Sequence, residues 1–203
     1  MVTGPEEDHM RKLTYLVAAT LDGFIAGPDA TDPTGSGIFT MEGDHMAALL
    51  DEYPDIVPVQ AREALGLAST PNKHFDTVVE GRVSYEGGLA AGIPNAYPHL
   101  RHLVFTRTMT ESPDPGVEIV SSDPVEVVRE LKREAGQGIW LVGGGSLAAA
   151  LRPEIDELVI KLHPVTVGNG IRMFEGDFDP AQFRLTRSQT FESGVLHLTY
   201  ERR

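Results

Sequence analysis

Residues 139–151 read IWLVGGGSLAAAL, and this stretch decides the fold. A short apolar run rich in β-branched and aromatic residues ends in three glycines, and strong helix formers follow directly. The pattern predicts a buried strand over Gly138–Val142 and a helix over Ser146–Leu151. Glycines permit positive φ and let another group approach the backbone closely. Free amides at a helix start, at the positive end of its dipole, attract anions. The turn Gly143–Gly144–Gly145 therefore has two readings, a close strand–helix junction or a cradle for a dinucleotide pyrophosphate. Gly143–Ala148 also satisfies G-x-G-x-x-A. The next predicted strand, Ile155–Leu162, does not supply the terminal acid that would hold a ribose. It runs into Lys161, Leu162 and His163, with its acids Glu154, Asp156 and Glu157 at the beginning. The standard Rossmann reading is set aside on that ground.

Working outward, further strands are expected over Lys12–Ala19, Phe24–Ala26, Phe75–Glu80, Leu100–Thr106 and Val117–Val120. Helical spacing recurs over Asp44–Leu50 and Pro58–Leu67, and after Gly81. Asp123–Pro124 has the cap and first-turn residues that open a helix running to Glu134. Gly27–Gly37 is a loop rich in Pro, Gly, Asp and Thr, long enough for a binding loop. Phe183–Phe191 and Val195–Glu201 alternate in polarity around Glu192–Ser193–Gly194, which reads as a hairpin. Alternating β and α followed by a hairpin predicts an α/β fold: a mostly parallel central sheet, helices on both faces and an antiparallel C-terminal edge. One domain is expected over 11–203, preceded by a flexible tail over 1–10.

Composition narrows the function. The 203 residues carry 41% hydrophobic and 23% charged residues, ordinary values for a globular chain. No apolar run reaches the roughly 18 residues of a membrane span. The acidic start, with Glu6, Glu7 and Asp8, is no secretory signal. With no cysteine, disulfides and thiolate chemistry are excluded, in keeping with a cytoplasmic protein. A net charge of −13 argues against nucleic acid as a partner. An anionic ligand needs a place where that field is locally reversed.

Three such places follow three strands: the glycine turn; Gly81, Arg82 and Ser84; and Thr106–Arg107–Thr108. Each joins glycine, hydroxyl or guanidinium groups suited to phosphate, and ligands of open α/β sheets bind at the carboxyl ends of strands. Singly, Arg82 and Arg107 read as surface ion-pair formers; together the clusters suit an adenine nucleotide with an extra phosphate. The histidines lack metal spacing: His99 and His102, three apart, read as structural or surface, and no metal is expected. GGGSLA is not a G-x-S-x-G nucleophile elbow.

LVAATLDGFIA (16–26), GRVSYE (81–86), WLVGGGS (140–146) and HPVTVGNGIRMF (163–174) occur in this order. Together they resemble the dihydrofolate-reductase-like family, in the branch containing the reductase domain of riboflavin biosynthesis. The resemblance implies that family's three-layer fold, NADPH as cofactor and a homodimer. It also implies reduction of a C=N or C=O group in a small pterin- or aminopyrimidine-like substrate. Ala18 and Ile25 would flank the nicotinamide, while Gly81, Arg82 and Ser84 would hold phosphates. Thr106 and Arg107 would meet the adenosine ribose and its 2′-phosphate. Gly143, Gly144, Gly145, Ser146 and Leu147 would wrap the pyrophosphate and nicotinamide ribose.

The substrate half departs from that family. The carboxylate expected near Ile38–Phe39–Thr40 is missing, leaving Glu42, Asp44 and Asp22 as candidate acids. Asp22 is better read as capping the Asp22–Gly23 turn. The phosphate-binding signature of the riboflavin enzymes is not found in Gly27–Phe75. The alternative is a nucleotide-binding or regulatory module of the same fold without turnover. Pro164–Phe174 fits either a dimer contact or an internal loop.

Overall fold

The computed structural model describes residues 10–30 and 37–203. The acidic start 1–9 and the middle of the Gly27–Gly37 loop, 31–36, lie outside the described residues. Strand β1 (Leu13–Thr20) is buried along its length except at Ala18, as a near-continuous apolar run requires when covered on both faces. It lies parallel between β6 (Gly138–Val142) and β7 (Glu157–His163), with Tyr15 opposite Leu141 and Leu158. With β3 (Phe75–Gly81), β4 (Arg101–Phe105), β5 (Val117–Val120), β9 (Phe183–Thr190) and β10 (Leu196–Arg202), the order is β5-β4-β3-β6-β1-β7-β10-β9. The strands from β5 to β7 are all parallel; β10 is antiparallel to β7, and β9 to β10. The mostly parallel sheet with an antiparallel C-terminal hairpin is thus the observed architecture.

Strand alternation sends Leu13, Tyr15, Val17 and Ala19 to one face. There they meet Val128 and Leu131 of α4 (Pro124–Arg133) and Ala148 of α5 (Gly145–Ala150). Leu16, Val78, Trp140 and Val159 point the other way, under Tyr53, Ile56 and Tyr97. Tyr85 of α3 (Arg82–Ala90) covers Val104 and Val117 on that second side. Tyr15, Leu13, Ile139 and Leu141 have no exposed surface, and each such side chain contributes about 1.5–3 kcal/mol. The Asp123 carboxylate accepts from Val125 N at 2.8 Å and Glu126 N at 3.2 Å, fixing the start of α4.

α1 spans Asp44–Glu52, whereas only Val59–Arg62 (α2) of the expected 58–67 helix is regular. Gly66 takes positive φ, and buried Arg62 donates to the carbonyls of Pro54, Leu67 and Thr70. Those carbonyls are thereby held in a loop. β2 (Phe24–Ala26) and β8 (Ile171–Arg172) form a separate two-stranded sheet. Further ties join Leu21 N to Val165 O at 2.8 Å and Met173 N to Gly23 O at 3.0 Å. Much of 164–174 is therefore engaged within the chain.

Candidate functional site: a cleft at the carboxyl ends of the parallel strands

Parallel strands end on one edge of a sheet, so the turns after β3, β4, β5 and β6 converge. They enclose a cleft of about 390 Å3, within the range of small-molecule and cofactor sites. Of the predicted cofactor residues, Gly81, Arg82, Ser84, Thr106, Arg107, Gly144, Ser146 and Leu147 line it. Among the described residues its polar lining consists of Arg82, Arg107 and six hydroxyl residues, with no Asp or Glu. In a chain with 30 acidic residues, this is the local field reversal that an anion needs.

The two guanidinium groups are not equivalent. Arg82 donates to Glu86 Oε2 at 2.6 Å, one turn along α3, so a ligand phosphate would have to compete with that carboxylate. Arg107 is exposed and forms no ion pair among the described residues. Thr106 Oγ1 accepts from the amides of Thr108 and Met109, both at 3.2 Å, and so shapes the turn that presents Arg107. No side chain among the described residues caps α3 or α5, and each begins at the cleft.

Each residue of the glycine triplet has its own physical reason. Gly143 takes φ +56°, and a Cβ there would lie 2.6 Å from Ser84 Oγ. Gly144, at φ +71°, lines the cleft, with nothing closer to a would-be Cβ than Ser84 Oγ at 3.9 Å. Gly145 is buried, and its would-be Cβ would overlap the Arg172 carbonyl oxygen. Gly143 and Gly145 thus shape the junction, and Gly144 leaves room for a ligand.

Ala18 and Ile25 lie outside this cleft. Ala18 is half-buried near the end of β1, opposite Lys161, and Ile25 is 7% exposed within the core. Thr108 of the Thr106–Arg107–Thr108 cluster lines the cleft as well, whereas the sequence reading missed Ser121 and Ser122. The signal for the serines was available: they follow β5 and precede the Asp123 cap, as Arg82 follows β3.

The candidate acids have other partners or none. Asp22 accepts from Thr20 Oγ1 at 2.5 Å, Gly168 N at 2.7 Å and Val167 N at 3.1 Å. It therefore clamps the 165–170 loop to the end of β1 as well as serving its own turn. Asp44 accepts from Glu192 N at 2.8 Å and Ser193 N at 3.3 Å, fastening α1 to the β9–β10 hairpin. Glu42 is exposed, and among the described residues only its backbone is engaged, by Thr40. His102 is buried and bonded to Glu80 at 2.6 Å and Asn95 at 3.1 Å, a structural position. Among the described residues no group of three or more His, Asp or Glu is placed to hold a metal. No described helix is long and apolar enough to cross a membrane.

Hydrogen bonds from Thr20 and then from the Gly168 and Val167 amides hold the Asp22 carboxyl below its ordinary pKa. A carboxylate with a depressed folded pKa contributes its stability above the unfolded value of about 3.9. That contribution is lost as pH falls through the folded value. Asp22→Ala should therefore lower Tm at neutral pH, with the difference from wild type shrinking in acid. Thermal denaturation across pH checks this; an unchanged neutral-pH Tm would contradict the clamp.

The parallel sheet, the hairpin edge and the cleft at the strand ends define a dihydrofolate-reductase-like fold. The chain belongs to the RibD C-terminal domain family, whose match spans residues 96–197. Two uncharacterized proteins of Bacillus subtilis are similar over nearly their full lengths. YyaP is 26% identical, covering 94% of each chain. YwjB is 27% identical, over 92% of this chain and 97% of its own. Among solved structures, a Shewanella sp. PV-4 protein named for riboflavin biosynthesis aligns with a TM-score of 0.65 at 20% identity, over 95% of this chain and 99% of that one. A dihydrofolate reductase from Enterococcus faecalis, complexed with NADP(H) and RAB-propyl, aligns with a TM-score of 0.60 at 18% identity, over 95% and 96%.

Proposed function

We propose that the protein is an NADPH-dependent oxidoreductase acting on a small heterocyclic C=N or C=O substrate. The observation that carries this reading is the cleft whose described lining holds no acid, with two guanidinium groups and six hydroxyls gathered at the carboxyl ends of four parallel strands. The residues fit the cofactor. Gly144 leaves open space over the backbone, the starts of α3 and α5 offer amides, and Arg107, with no ion pair among the described residues, suits a ribose 2′-phosphate. When bound, NADPH supplies the hydride. The chain's own work is to orient cofactor and acceptor, exclude water and stabilise charge on the acceptor. Membership of the RibD C-terminal domain family supports the reductase reading, as does the likeness to a dihydrofolate reductase complexed with NADP(H). The same reading takes the protein as a cytoplasmic homodimer whose partner is its small-molecule substrate. The engagement of Asp22 and Asp44 by backbone amides favours one rival, a nucleotide-binding module without turnover. A panel of dihydropterins, aminopyrimidines and quinones tests this by loss of NADPH absorbance. Oxidation with any acceptor supports the reductase; tight NADPH binding with no oxidation in the whole panel supports the module.

A further inference from the structure

Strand alternation gives the β7–β10–β9 end of the sheet two unlike faces. On one, the register aligns Leu158 with Tyr200 and Leu185, Ile160 with Leu198 and Ser188, and Leu162 with Leu196 and Thr190. On the other it aligns Glu157 with Glu201 and Arg184, Val159 with Thr199 and Arg187, and Lys161 with His197 and Gln189. The aliphatic face is on the side of α4 and α5, because Leu158 joins the core cluster those helices cover.

An antiparallel edge covered on one side turns its apolar residues to the cover and its polar residues to water. Here the helix lies on the other side. α1 reaches over the polar face, with Glu52 3.4 Å from Arg187 and the His45 ring 6.3 Å from that of His197. No described helix packs broadly on β9 or β10 from the aliphatic side. Beyond Leu158 the cover thins: Ile160, Leu162, Leu196 and Leu198 are half-buried, and Leu185 is 49% exposed. Leu162, Leu196 and Leu198 join none of the core clusters formed by the described residues. Phe178, at 97% exposure, belongs to a segment that runs beside α5 on this same side, where Gly176 faces Ala149 and Asp179 pairs with Arg152.

We propose that this aliphatic face is the contact surface for a second copy of the chain, packed sheet against sheet about a twofold axis. Three strands of seven or eight residues make a face about 25 Å by 15 Å. That is the apolar centre of a standard interface, which buries about 800 Å2 per partner. Phe178 and the exposed positions of the 164–170 loop, which leaves the end of β7, supply rim. Charge selects the occupant. The three aligned rows carry no charged residue, so two copies of net charge −13 meet there without a like-charge contact. Arg202, in the next row, is committed to the Ile155 and Arg152 carbonyls and the Phe183 ring. An anionic membrane would be repelled by the net charge and would find no free cation in those rows. A sheet packs on an identical sheet about 10 Å away, with strands within about 30°, and a twofold closes the contact at two copies. The homodimer belongs to the reading above; the surface assigned to it rests on the sheet alone.

The test is sedimentation of the full chain at roughly 10 μM, a concentration at which standard interfaces are occupied. The mass should be twice that of the 22.1 kDa chain. Leu185→Glu and Leu198→Glu should each raise the dimer dissociation constant roughly a hundredfold or more, because the twofold buries two uncompensated carboxylates. Gln189→Glu, on the polar face of β9, should leave the dimer intact. Leu185 is half exposed in a single copy, so its variant decides the matter even where Leu198→Glu fails to fold; circular dichroism checks folding. A monomeric wild-type chain, a Leu185→Glu variant that stays dimeric, or dissociation by Gln189→Glu alone would each overturn the proposal. An NADPH titration of the same samples separates the two claims. A dimer that binds no NADPH keeps the interface and removes the reductase reading; a monomeric wild type that binds NADPH keeps the reductase and removes the interface.

Discussion

Gly145→Ala should destabilise the protein by about 3 kcal/mol, the upper part of the overpacking range, which corresponds to a fall in Tm of roughly 6–12 °C for a chain of this size. The added methyl group would overlap the Arg172 carbonyl oxygen and lie 3.0 Å from Glu175 Cγ. That carbonyl belongs to β8, which β2 holds by pairing, and Glu175 N donates to Gly145 O at 3.0 Å. The backbone cannot swing aside without breaking those bonds. Gly144→Ala should cost less, about 1–2 kcal/mol for its left-handed conformation, because open cleft surrounds it. Its larger effect should fall on ligand affinity. Thermal melts of the two variants check the contrast; equal losses of Tm would show that the close approach to Arg172 is not what demands glycine.

Arg107→Ala should weaken NADPH binding by roughly ten- to a hundredfold, the equivalent of one charge-assisted hydrogen bond of about 1.5–3 kcal/mol. NADH, lacking the 2′-phosphate, should bind the variant and the wild type alike. Arg82→Ala should have the smaller effect, since Arg82 already spends its charge on Glu86 and exposed ion pairs of this kind exchange at little net gain. Added salt should reduce the wild-type preference for NADPH and leave the variant nearly unchanged. A loss from Arg107→Ala that is equal for both nucleotides would place the phosphate elsewhere.

Much of this architecture is legible before any coordinates. The glycine turn, the strands on either side of β1 and the Asp123 cap announce themselves because local chemistry and tertiary context agree. β8 is not legible: two residues carry no periodicity, and their pairing with β2 depends on the long-range ties of Asp22, Leu21 and Met173. The helix expected over 58–67 gives way to a loop because Arg62, inside that segment, collects the carbonyls of Pro54, Leu67 and Thr70.

The cleft was readable because groups suited to phosphate cluster along the chain next to strand ends. The cluster of Lys161, His197 and His45 was not, because these residues come from three separate segments. Lys161 and His163 were visible in sequence only as the wrong ending for a Rossmann strand. Only the β1–β7–β10 register brings the first two of those segments together, and α1 closes over them.

The most direct measurement is a titration of the wild-type protein with NADPH and NADH, followed by Trp140 fluorescence and by calorimetry. Trp140 is the chain's one tryptophan, in β6 three residues before Gly143. Saturable quenching at least tenfold tighter for NADPH than for NADH is the predicted result. Silence from both nucleotides, in fluorescence and in heat, would contradict the cofactor assignment and leave the cleft without its proposed ligand.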